Sequence, residues 1–147
     1  MTKIGHLVTK IFMDLVSEYQ EKYKRDPKAF AKKLEERTTL FAVRIIKLSA
    51  KLPKTDEGKV IKNQLTKAGT SVGANYREAN RARSRADFRN KIKICESESS
   101  ETVYWLTIVK LMNWLTPQEI DEEYNEANEF LALFTKISQT TYENAKK

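Results

Sequence analysis

From Phe88 to Val109, the residues Phe88, Ile92, Cys95, Ser99, Thr102, Leu106 and Val109 alternate in steps of four and three. Only a helix brings positions with that spacing onto one face. The alternation is that of a heptad seam, which holds neighbouring helices nearly parallel or antiparallel. Small polar residues crowd its middle at Ser97, Ser99, Ser100 and Thr102, which suits close approach. A chain built on this segment is expected to be an all-α bundle with its helices aligned.

The other segments repeat the helical spacing. Ile4, Val8, Ile11, Leu15 and Tyr19 mark a first helix over 2–24, widened by Phe12, Val16 and Tyr23. Asp26-Pro27 breaks it, because proline disfavours a helical residue before it. Pro27 also suits the first turn of a new helix over 28–37. Phe41, Ile45, Leu48 and Leu52 then mark a helix over 37–51, ended by Leu52-Pro53. Thr55-Asp56-Glu57-Gly58 carries cap chemistry and opens a helix over 56–82. Its stripe is Ile61, Leu65, Ala68, Val72, Asn75 and Ala79.

Gly69 and Gly73 lie inside that helix, where glycine costs about 0.5–1 kcal/mol relative to alanine. Close approach of another helix would offset the cost; a tolerated pair is the alternative. Ser84, three residues before Asp87, is a good N-cap for a helix over 85–115, which leaves a corner at Arg81–Ser84. Thr116-Pro117 starts the last helix, with Glu119, Asp121, Glu122 and Glu123 near its positive end. Ile120, Tyr124, Ala127, Leu131 and Phe134 form its stripe, widened by Phe130 and Ile137. No strand alternation, Gly/Ser linker or internal repeat interrupts the pattern.

A chain of 147 residues can bury a core without disulfides or metal. Its single cysteine, Cys95, rules out an intrachain disulfide and suggests a reducing compartment. No apolar run approaches the roughly 20 residues that span a bilayer, and no signal-peptide pattern opens the chain. A cytoplasmic protein that does not enter a membrane is expected. With His6 as the only histidine, one subunit cannot build a Cys/His zinc site, and no Glu-x-x-His pair exists for a di-iron bundle. Walker and Gly-x-Gly-x-x-Gly loops are also missing. The expectation is a non-enzymatic protein with no catalytic residues, metal or cofactor.

Several polar and aromatic residues on these helices have structural readings. Cys95 on the seam reads as a small buried hydrophobe. Glu96, Glu98 and Glu101 read as ion-pair partners for a neighbouring helix. Asn75 on its stripe must find hydrogen-bond partners or cost about 1–3 kcal/mol. A seam asparagine can fix register and oligomer state, with ligand binding as the other reading. Tyr104-Trp105 suits a core or subunit interface better than base stacking.

Charge is distributed unevenly. Residues 1–95 carry net +13 and residues 96–147 net −6, giving +7 overall. The cations concentrate at Arg77, Arg81, Arg83, Arg85, Arg89, Lys91 and Lys93, against Glu78 and Asp87 alone. Such a cluster can neutralise phosphates and release counterions. Alternatively, basic and acidic faces of neighbouring subunits meet and set orientation, or the cluster is a solvated face.

Several of these pieces together resemble one family, the 23S rRNA intervening-sequence proteins. They are Leu52-Pro53, Gln64-Leu65, Ala68-Gly69-Thr70-Ser71-Val72-Gly73-Ala74-Asn75, Arg77-Glu78-Ala79, Ser84 with Asp87-Phe88, and Glu101-Thr102-Val103-Tyr104-Trp105-Leu106. The resemblance covers about residues 37–135 and is specific in the centre. It divides the chain into a bundle domain over 37–147 and an N-terminal helical extension over 1–36. It implies an antiparallel up-and-down four-helix bundle that assembles into a homo-oligomeric ring, commonly a pentamer. A related group, the accessory variability determinants of diversity-generating retroelements, forms similar basic pentamers that bind nucleic acid and a reverse transcriptase.

The expected function is RNA or DNA binding through the Arg77–Lys93 corner, with weak sequence preference. The alternative is a protein-interaction scaffold, for example for a reverse transcriptase, without direct nucleic-acid binding.

Overall fold

A computed structural model describes residues 26–147 and, before them, positions 10, 14, 17, 18 and 21. The helix expected over 2–24, with His6, otherwise lies outside the described residues. Four helices follow: α1 (Pro27–Ser49), α2 (Asp56–Asn80), α3 (Arg85–Leu111) and α4 (Pro117–Ala145). No strand occurs among the described residues.

Each helix start has a local cause. The Asp26 carboxylate accepts a hydrogen bond from the Ala29 amide at 3.0 Å, with Pro27 at the first helical position. Thr55 Oγ1 accepts from the Gly58 amide at 3.1 Å, and Ser84 Oγ from the Asp87 amide at 3.0 Å. These caps satisfy amides that have no partner inside the helix. At Thr116 the Glu119 carboxylate accepts from the backbone amide at 2.9 Å and the hydroxyl at 3.2 Å. Those bonds, the backbone one foremost, hold the Glu119 carboxyl below its ordinary pKa.

Two helix boundaries differ from the sequence expectation by more than two residues, while α1 and α2 end two residues early, at Ser49 and Asn80. α1 is one helix from Pro27, so residues 27–36 belong to it, and Leu34 is fully buried in the core. The end of α3 is Leu111, not 115. Asn113 adopts a left-handed conformation (φ 52°), and the amides of Asn113 and Trp114 bond back to the carbonyls of Lys110 and Val109. That pairing is a Schellman stop built on asparagine.

The helices run antiparallel in sequence order. Ile45 faces Gly69 and Thr38 faces Gly73, so α1 and α2 pass each other closely in opposite directions. The close approach expected at Gly69 and Gly73 is met at both positions. The buried residues of α3 are Ile92, Cys95, Ser99, Thr102, Leu106 and Val109, the expected seam without its partly buried first member, Phe88.

On α2 the stripe bends. Tyr76 is buried, whereas Asn75 is half-buried and donates to the Ser71 carbonyl of its own helix at 2.8 Å. On α4, Leu133 is buried while Leu131 is only half-buried. Aromatic edges join the outer helices to the centre. Phe41 and Phe130 meet at 5.1 Å between centroids, and Tyr76 and Phe134 at 5.6 Å. Such pairs add about 0.5–1.5 kcal/mol each beyond their burial.

Candidate nucleic-acid interface

The four-residue corner between α2 and α3 fixes the basic cluster at one end of the bundle. Ser84 caps α3, and the Asp87 carboxylate accepts from the Arg83 backbone amide at 3.2 Å, closing the turn. The two acids expected near the cluster therefore differ in use: Asp87 is committed to the corner's backbone.

Of the seven expected site residues, Arg77, Arg81, Arg83, Arg85 and Lys93 are exposed, and Arg89 and Lys91 are half-buried. Lys93 pairs with Glu96 on its own helix at 3.1 Å. The other six make no ion pair among the described residues. They are spread over three pieces of the chain. Arg77 and Arg81 ride on the end of α2, while Lys91 and Lys93 lie further along α3.

Arg83, Arg85 and Arg89 share a cleft of about 810 Å³, which Thr141, Asn144 and Ala145 at the end of α4 complete. Phe88 also lines it and packs against the core. The α4 residues were not among those expected from sequence, because only the antiparallel topology brings them to the corner.

The acidic half of the chain is largely occupied elsewhere. Arg37 on α1 bonds to Glu126, at 3.1 Å, and to Glu129 on α4. Arg44 meets Glu126, and lies 3.7 Å from Glu123 and 3.9 Å from Glu122. Burial opposes the Arg37 charge most, but the carboxylates of Glu126 and Glu129 outweigh it and raise its pKa. Lys110 pairs with Asp121 at 2.8 Å. Basic residues of the first half and acids of the last helix thus meet inside one subunit, along the α1–α4 seam.

The α3 acids mostly stay on their own helix rather than reaching a neighbour. Glu96 takes Lys93, and Glu101 accepts from the Trp105 indole at 3.2 Å. Partial burial raises the Glu98 pKa, with Glu101 adding to the rise and Lys67 of α2 opposing it. Tyr104 is exposed and packs edge-on against Trp105 at 4.9 Å.

Cys95 is fully buried, and its thiol donates weakly to the Val72 carbonyl at 3.6 Å. Burial pushes its pKa up to about 12, the opposite of what a nucleophile needs. Among the described residues no group of three His, Cys, Asp or Glu side chains converges to hold a metal ion. No described helix is long and apolar enough to cross a membrane.

No curated protein matches the chain. A crystal structure of a protein of unknown function from the S23 ribosomal protein family of Bacteroides thetaiotaomicron superimposes with a TM-score of 0.65 and 36% sequence identity. That similarity covers 71% of this chain and 96% of the other. Residues 32–136 match the profile that describes the 23S rRNA-intervening sequence protein. The match takes in all of α2 and α3, and most of α1 and α4, so the chain belongs to the 23S rRNA-intervening sequence protein family.

Proposed function

We propose that this protein binds nucleic acid through phosphate contacts at the Arg77–Lys93 end, as a non-enzymatic homo-oligomer, with a pentameric ring favoured. The observation that carries the reading is the set of six cations there that make no ion pair among the described residues, while Arg37 and Arg44 are held by acids. Cations left without partners can exchange counterions for phosphates, giving weak sequence preference and strong salt dependence. In a ring each subunit repeats the patch, and repetition raises avidity without a new kind of contact.

An apolar stripe on the outer face of α1 supports self-association. Leu40, Val43 and Ile46 follow at steps of three and are 62%, 42% and 49% exposed. The acids of α4 are poor candidates for a neighbour's basic corner, because Glu123, Glu126 and Glu129 already face α1 arginines.

The test is binding of fluorescent RNA and DNA across a salt series. Affinity should fall steeply with salt, and changing Arg77, Arg81, Arg83 and Arg85 together to Ala should weaken binding and flatten the slope. Each lost phosphate contact removes about 0.9 from the slope on duplex DNA and about 0.7 on single strands. Unchanged binding by that variant overturns the site. A monomer by light scattering overturns the ring.

A further inference from the structure

We propose that the cleft between the α2–α3 corner and the end of α4 takes one unpaired nucleotide, so that this end selects single-stranded nucleic acid. The inference rests on the nucleic-acid reading above and goes further in naming the form of the ligand.

The cleft has the size and the chemistry. At about 810 Å³ it falls in the range of sites that enclose a small organic ligand. Arg83, Arg85 and Arg89 line it, and none makes an ion pair among the described residues. They supply planar donors for phosphate oxygens. Asn144 lines the same cleft, and its amide makes no hydrogen bond among the described residues, leaving a donor and an acceptor for a base edge. Two carboxylates at this end are already engaged: Asp87 closes the corner, and Glu35 accepts from Asn80 at 2.9 Å.

Phe88 decides the form of the ligand. It continues the α3 seam by one further step to the end of the bundle, where the core runs out, so it packs below and lines the cleft above. An aromatic side chain in a cleft lined by arginines can stack a base. Bases in a duplex are already paired and stacked, so only an unpaired one can enter. Closing the core needs apolar volume alone, and Leu would supply it.

The experiment compares an unstructured single strand with a duplex of the same length, using the full chain and fluorescence anisotropy. The single strand should bind at least about tenfold tighter. Phe88→Leu should weaken single-strand binding roughly 5- to 150-fold, the range expected for one base–aromatic stack. It should leave the salt slope and duplex binding unchanged. Arg89→Gln should instead lower the single-strand slope by about 0.7. A single strand carrying 5-iodouridine should photo-cross-link to the peptide containing Phe88, a readout on the unaltered protein that stands even if the Leu variant folds poorly.

Equal affinity for single and double strands, an unaffected Phe88→Leu variant that is folded by circular dichroism, or cross-links only elsewhere would each overturn the cleft while leaving nucleic-acid binding in place. Failure of both strands to bind at low salt would remove the broader reading with it.

Discussion

Gly69 of α2 lies so near Ile45 of α1 that a Cβ at Gly69 would stand 2.7 Å from Ile45 Cγ2 and 3.1 Å from Ile45 Cβ. Ile45 is fully buried and cannot swing aside. Alanine would gain about 0.5–1 kcal/mol of helix propensity, but overpacking costs about 1–3 kcal/mol. Gly69→Ala is therefore expected to destabilise in urea titrations at fixed protein concentration. Gly73→Ala, whose Cβ would meet Thr38 Oγ1 at 3.1 Å, should fall within about 1 kcal/mol of the parent. A Gly69→Ala variant more stable than the parent would contradict the close approach.

Glu126 should matter more than its neighbours on α4. Its side chain is 14% exposed and is shared by Arg37 and Arg44, whereas Glu122 is 75% exposed and 3.9 Å from Arg44. Glu126→Gln leaves two partly buried guanidinium groups short of a charge and should cost about 1–3 kcal/mol. Glu122→Gln should change stability by less than about 0.5 kcal/mol, as exposed pairs do. Equal effects from the two variants would argue against the shared carboxylate.

Ser49 offers a stabilising substitution. It ends α1 with 1% exposure, and its hydroxyl has no hydrogen-bond partner among the described residues. A buried hydroxyl without a partner costs about 1–3 kcal/mol. Ser49→Ala removes that group with almost no change in volume and should raise the urea midpoint. A lowered midpoint would mean that the hydroxyl is bonded in solution.

The Cys95 thiol gives stability an alkaline limb. Its ordinary pKa of 9.0 applies to the unfolded chain, and burial raises it to about 12 in the fold. Between those values the unfolded state holds fewer protons than the native state, so stability falls as pH rises, by at most about 1.4 kcal/mol per unit. Below pH 9 the contribution is flat. Cys95→Ala should lack this component, and the difference in slope between parent and variant over pH 9–10.5 isolates it. Thiol reagents at pH 8 should label Cys95 rapidly only in denaturant.

Where packing follows a strict period, the sequence was enough. The α3 seam from Ile92 to Val109 could be read directly, because one repeating interval meets one neighbouring surface. α2 was harder: the glycines at 69 and 73 let α1 approach on a second side, which rotates the buried face toward Tyr76 and away from Asn75. From sequence, the helix opening at Pro27 splits from the next near 37, because Phe30 and Leu34 are the only large apolar residues in a stretch rich in lysine and glutamate; the structure joins the two pieces into one α1. The basic corner was legible as charge, but its concavity was not. Thr141 and Asn144 reach it only because four antiparallel helices return the chain to its starting end.

That return has a practical corollary. The polypeptide enters α1 and leaves α4 beside the Arg83–Arg89 cleft, while the connections at 50–55 and 112–116 lie at the far pole. An affinity handle or fluorophore appended after Lys147 would crowd the cleft, and immobilisation through it would turn the arginines toward the support. A label at Met112, 53% exposed in the opposite connection, would report on the molecule while leaving the basic pole open to solution.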